Sequence, residues 1–122
     1  MSERTPVNAF TVDWEDWYQG LEIDMEDWCG FADRLSVGTE RLLALLADAD
    51  VRATFFVLGR AAESAPALLR QIRDAGHEIG THGYSHRFVY ELGAEQFRRE
   101  LRHSMSIIED VLGTRCVLGH RA

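Results

Sequence analysis

Short β-rich runs and amphipathic helical stretches alternate along this 122-residue chain, and that order leaves few folds open. Residues 7–12 form a mostly apolar run that halts at Asp13. Residues 51–58 form a second run closed by Gly59, residues 77–81 a third, and residues 115–118 a fourth. Between the first two, Ser36 can cap a helix reaching about Asp48, with Leu42, Leu43, Leu45 and Leu46 at helical spacing. Ser64 can cap the next, with Pro66 in its first turn, a buried stripe of Leu68, Leu69 and Ile72, and Gly76 as its stop. A longer helix from about Ala94 carries Phe97, Leu101, Met105, Ile108 and Leu112 on one side and ends at Gly113. Strands joined by helices need right-handed crossovers, which give an α/β fold: a parallel sheet of about four strands with outer helices, open or part of a barrel. In such folds the chemistry sits at the C-terminal ends of the strands.

Composition narrows the partners. The formal charge is −7 and every basic residue is arginine. Nine acids face Arg4 alone in residues 1–33, whereas eleven acids and twelve arginines nearly cancel over residues 34–122. A chain of this kind lacks the basic face that displaces counterions from phosphate, so nucleic-acid binding is not expected. No apolar run approaches the ~20 residues of a membrane span. The N-terminal residues lack the basic-then-apolar order of a secretory signal, so the expected location is the cytoplasm. Cys29 and Cys116 form no Cys-x-x-Cys pair and are expected as reduced thiols.

Two polar clusters fall just after strands. Asp13-Trp14-Glu15-Asp16 ends the first, and strand alternation sends Asp13 and Glu15 to one side if the strand continues. Thr81-His82-Gly83-Tyr84-Ser85-His86 follows the third, with two histidines four residues apart. Taken singly, a carboxylate after a strand is most often a cap, and a His-x-x-x-His pair is most often structural. Two such clusters at the ends of different parallel strands are what a shared metal site requires. One carboxylate with two imidazoles makes a three-ligand set for a divalent metal, and a second carboxylate is then free to serve as general base. His77 precedes its strand and His103 lies on an exposed helical face, so neither joins the site. The acidic stretch 22–28 reads as a solvated loop anchored by Trp17, Tyr18, Trp28 and Phe31.

These residues resemble the polysaccharide deacetylases, the NodB-homology domain. The resemblance rests on Thr11-Val12-Asp13-Trp14-Glu15-Asp16, on residues 51–59, on Ala75-Gly76-His77-Glu78-Ile79-Gly80-Thr81-His82-Gly83-Tyr84-Ser85-His86, and on Gly119-His120-Arg121-Ala122. The valine-aspartate-x-glutamate-aspartate start is similar to the branch found with exopolysaccharide loci. It implies a partial, distorted (β/α) barrel, with residues 1–122 as the N-terminal part of a single domain whose C-terminal part lies beyond the chain. It implies a metal-dependent hydrolase that removes N-acetyl, or O-acetyl, groups from the sugars of a polysaccharide. Asp13 matches the catalytic base, His82 and His86 the histidine ligands, and Arg121 the arginine that orients the base. The family's adjacent aspartates are not repeated here; Glu15 is the preferred carboxylate ligand, because it shares the strand face of Asp13, and Asp16 is the second choice. The metal is expected to be zinc, with cobalt, nickel or iron suited to the same ligands. The general acid of the family falls in a later motif, so these residues alone are expected to be inactive. The alternatives are ureide or cyclic-amide hydrolysis on the same fold, and a non-catalytic carbohydrate-binding module.

Overall fold

A computed structural model of the chain describes residues 3–122. Four parallel strands pair in sequence order: β1 Thr11–Trp14, β2 Thr54–Val57, β3 Glu78–Thr81 and β4 Val117–His120. A sheet in sequence order has crossovers that all run one way. The helices therefore share one face, as in a segment of a (β/α) barrel and unlike a doubly wound sheet. These helices are α1 Leu35–Asp48, α2 Gly59–Ser64, α3 Pro66–Asp74 and α4 Val89–Leu112. No helix among the described residues is long and apolar enough to cross a membrane.

Strand alternation divides the molecule into two layers. Phe55 and Val57 of β2 point to the helices and are fully buried, together with Leu58, Leu69, Ile72 and Ile108. Burying each such side chain contributes roughly 1.5–3 kcal/mol. The opposite face of the sheet carries Thr11, Asp13, Phe56 and Gly80, with Asp13, Phe56 and Gly80 in one register row. The apolar layer makes the fold and the helix-free layer is left for chemistry.

Several local expectations shift. The first strand lies later than residues 7–12: its register with β2 starts at Thr11, one residue after Phe10 O accepts from Thr54 N, and Val7 is 93% exposed. The fourth is Val117–His120 and not 115–118, since its pairing with β3 starts at Val117 opposite Ile79 and runs through an irregularity to His120 opposite Thr81. Ser64 does not cap the helix of Pro66. It closes the additional short helix α2, where its hydroxyl donates to Ala61 O at 3.0 Å. Ser36 lies inside α1, whose first turn is capped from a distance by Asp16. α4 breaks at Gly93, where φ is 72° and ψ 164°, so the continuous part starts at Ala94 as the periodicity implied.

The acidic stretch is a loop whose acids Glu22, Asp24, Glu26 and Asp27 face solvent, as expected, while its aromatics pack. It contains a 3-10 helix, Met25–Gly30, and buries Trp28 and Tyr18. Tyr18 stacks on Phe31 with centroids 5.5 Å apart and donates to Asp33 Oδ1 at 2.7 Å. Burial, then the Asp33 bond, pushes its phenol up to about 12. The aromatics of this loop, with Trp17 Nε1 donating to Ala32 O, thus act mainly as its anchors.

Candidate functional site

The register of the sheet explains how residues more than a hundred positions apart meet. Just past β4, Arg121 donates its backbone N–H to Thr81 O at 2.9 Å, which aims its side chain back across the helix-free face. The guanidinium lies 4.3 Å from the centroid of the Phe56 ring. There it donates to Asp13 Oδ1 and to Thr11 Oγ1, both at 3.0 Å. An aromatic face beneath and two acceptors ahead fix a fork that is rigid by nature. Asp13 and Arg121 are thereby brought together.

Beside this pair, Glu15, His82 and His86 converge, with one ligand atom from each within 4.8 Å of the others. Glu15 Oε2 lies 3.2 Å from His86 Nε2 and 3.5 Å from His82 Nε2, and Asp13 Oδ2 is 4.0 Å from His82 Nε2. His82 Nδ1 is 2.9 Å from Arg121 O. A carbonyl only accepts, so Nδ1 carries a proton and Nε2 is the nitrogen turned toward Glu15. Burial raises the pKa of Glu15, while His86 and His82 pull it down. Its Oε2 is buried without a hydrogen-bond partner. The loop closes tightly over it, since a β-carbon on Gly20 would lie 2.5 Å from Glu15 Oε1.

Such an arrangement is poor chemistry by itself. The Glu15 Oε2 is buried 3.2 and 3.5 Å from two imidazole nitrogens and has no hydrogen bond to either. A divalent cation between them satisfies all three donors at once, and two imidazole nitrogens with one carboxylate oxygen suit a borderline transition metal. The residues present therefore fit the metal that the sequence reading implies.

Asp16 is not brought to this cluster, which corrects its place as second choice for the carboxylate ligand. It is 4% exposed, and its Oδ2 accepts from the backbone N–H groups of Arg34 and Leu35 at 2.9 and 3.2 Å. Its Oδ1 accepts from Trp17 N at 2.8 Å. The cause is the alternation of β1, which carries on past its end at Trp14: Glu15 keeps the side of Asp13 and meets the histidines, while Asp16 turns, like Trp14, toward α1. His77 stays outside the site, its Nδ1 accepting from Ala53 N at 3.0 Å, with burial and then Arg52 lowering its pKa.

Three contributors escape a reading of the sequence. Thr11 and Phe56 hold Arg121, and the only signal for them is their place on the strand face of Asp13. The third, His120, ends β4 and lines a cleft of about 370 Å3 with His82, His86, Phe88, Tyr90 and Phe97. Both of its ring nitrogens are buried without a partner, and burial followed by the nearby His82 lowers its pKa.

A family model for polysaccharide deacetylase matches residues 28–122. A peptidoglycan deacetylase from Helicobacter pylori is 39% identical over 77 residues, covering 63% of this chain and 26% of that protein. Chitin deacetylase 1 from Cryptococcus neoformans is 34% identical over 83 residues, covering 68% of this chain and 18% of that one. The chain thus spans about a quarter or less of these two relatives. Among solved structures, a Mycobacterium smegmatis protein assigned to the polysaccharide deacetylases superposes with a TM-score of 0.80 at 33% identity, over 93% of this chain and 42% of the other.

Proposed function

We propose, for a chain that belongs to the polysaccharide deacetylase family, that its residues form the water-activating part of a hydrolase releasing acetate from N-acetylated sugars of a polysaccharide. The observation that carries this reading is the convergence of Glu15, His82 and His86 beside an arginine-held Asp13. An exopolysaccharide is the favoured polymer on the strength of the start at Val12-Asp13-Trp14-Glu15-Asp16. The relatives named for peptidoglycan and chitin make those two polymers the natural comparisons.

Glu15, His82 and His86 would hold the divalent metal, zinc in the first instance, which when bound supplies Lewis-acid chemistry: it acidifies water and polarises the acyl oxygen. The rest follows from the protein's own groups. Arg121 engages Asp13 Oδ1 and leaves Oδ2 facing the cluster, so Asp13 is placed to take the proton of the attacking water there. Thr11 and Phe56 keep the guanidinium from swinging away. The carbonyl of Arg121 orients His82, so one residue sets both the base and a ligand.

The test is acetate release from N-acetylated oligosaccharides by the full-length protein, before and after chelation, and with Asp13→Asn. The expected result is release that chelation abolishes and Asp13→Asn strongly reduces. Release unaffected by either change contradicts the proposal. Opening of a ureide or cyclic amide without acetate release points to the alternative hydrolase. Sugar binding that survives both chelation and His82→Ala, with no turnover, points to a binding module.

A further inference from the structure

We infer that Glu100 and Ser104, one turn apart on α4, are positioning residues that clamp the loop bearing both histidines and so set how tightly the site takes a divalent cation. The inference rests on the reading that Glu15, His82 and His86 hold that cation.

Ser104 is fully buried under the start of the loop. Its hydroxyl donates to Gly83 O at 3.0 Å and lies 2.7 Å from Thr81 Oγ1, which itself accepts from Gly83 N at 3.2 Å. The protons are used once each if Thr81 donates to Ser104 and Ser104 donates to Gly83. Gly83 O also accepts from Gly59 N at 2.7 Å. Any side chain at Gly59 would break this seat, since a β-carbon there would stand 2.9 Å from Ser104 Oγ.

Four residues earlier, on the same face of the helix, Glu100 receives the far end of the loop. The Ser85 hydroxyl, on a residue 7% exposed, lies 2.8 and 2.9 Å from its two carboxylate oxygens. A hydrogen bond to a carboxylate is among the stronger ones available. The residue that follows, His86, sits at φ 57°, in the left-handed region that a β-carbon disfavours. Such a conformation persists only where its surroundings impose it. The ring of His82 is fixed by Arg121 O. His86 has no comparable anchor among the described residues, so its backbone must place its ring, and Ser85 with Glu100 holds that backbone. α4 thereby serves as the backing of the histidine pair, although it supplies no ligand to the cluster.

The test compares wild type, Glu100→Ala, Glu100→Gln and Ser85→Ala in the full chain. Co2+ titration gives affinity and the visible absorption of the bound ion, and hydrogen exchange of residues 82–86 is followed without metal. Glu100→Ala should weaken Co2+ binding by roughly 10–100-fold, the usual cost of removing an outer partner of a metal ligand. It should also alter the Co2+ spectrum and speed exchange in the loop before any metal is added. Glu100→Gln keeps an acceptor for Ser85 and should stay close to wild type. A merely structural role would lower the melting temperature yet leave the spectrum of the bound ion unchanged. If Glu100→Ala does not fold, Ser85→Ala cuts the same contact from the loop side and must show the same loss. Wild-type affinity and spectrum in the folded variants overturn the inference alone. Failure of the wild type to take up Co2+ instead removes the metal reading beneath it.

Discussion

The two halves of the candidate site are built in opposite ways. The histidine half hangs from β3, an interior strand with a partner on each side, and its loop is held by Ser104, Glu100, Gly59 and the carbonyl of Arg121. The carboxylate half follows β1, an edge strand, and ends in a Glu15 oxygen that is buried, unpartnered and harder than usual to ionise. The protein has thus preorganised the histidine loop and the ring of His82 with its own hydrogen bonds, while Oε2 of Glu15 is left without one. Changes on the histidine side should disturb loop and site together; changes at Glu15 should disturb the site and spare the fold.

The largest effect is expected at Asp13, which belongs to neither half as a ligand. Asp13→Asn should lower acetate release by about 10²–10⁴-fold, the usual share of a general base, with Co2+ affinity nearly unchanged. A comparable fall in both would make Asp13 a ligand and blur the comparison. Glu15→Gln comes next: its loss of cation affinity should exceed the roughly 10–100-fold typical of outer-shell changes. The same variant, free of metal, should be no less stable than wild type at pH 7 in a chemical denaturation.

Asp16→Ala separates Asp16 from Glu15 most clearly. It strips a buried carboxylate from the backbone N–H groups of Arg34 and Leu35 at the start of α1 and should cost about 1–3 kcal/mol of unfolding free energy. The site should suffer only through that loss, so a Co2+ spectrum unlike wild type in the folded variant would return Asp16 to the site.

A pH series sharpens the carboxylate half further. The folded pKa of Glu15 is raised from its ordinary value of 4.5, so the folded state holds this proton more tightly than the unfolded chain. Its favourable contribution is complete below the unfolded value and disappears as pH rises through the folded one. Metal-free wild type should therefore lose stability relative to Glu15→Gln across that window, and a difference that stays flat with pH would remove the burial argument. The smallest expected effect is Thr11→Val, which removes one of two acceptors from an exposed guanidinium and should cost about 1 kcal/mol or less in kcat/KM.

Much of this was legible in the sequence because period and punctuation act locally. The stripe ending at Leu112 and the stop at Gly113, left-handed at φ 72°, are set by residues within a turn of one another. The pairing of Asp13, His82, His86 and Arg121 was legible because parallel strands bring their C-terminal ends to one edge. Long-range capping was not: Ser36 and Ser64 look like caps, but Asp16 caps α1 across 18 positions and Ser64 ends a helix instead of starting one. Neither were the roles of Ser104 and Glu100, since a serine and a glutamate on a helix carry no signal until the loop they hold is in place.

The function proposed for this site requires that one cation join the two halves. Ring nitrogen resonances of the five histidines, recorded before and after one equivalent of Zn2+, test this directly. The prediction is that Nε2 of His82 and His86 alone moves to metal-bound values, while His77, His103 and His120 stay in place. No shift, or a shift in a different set of histidines, would contradict it.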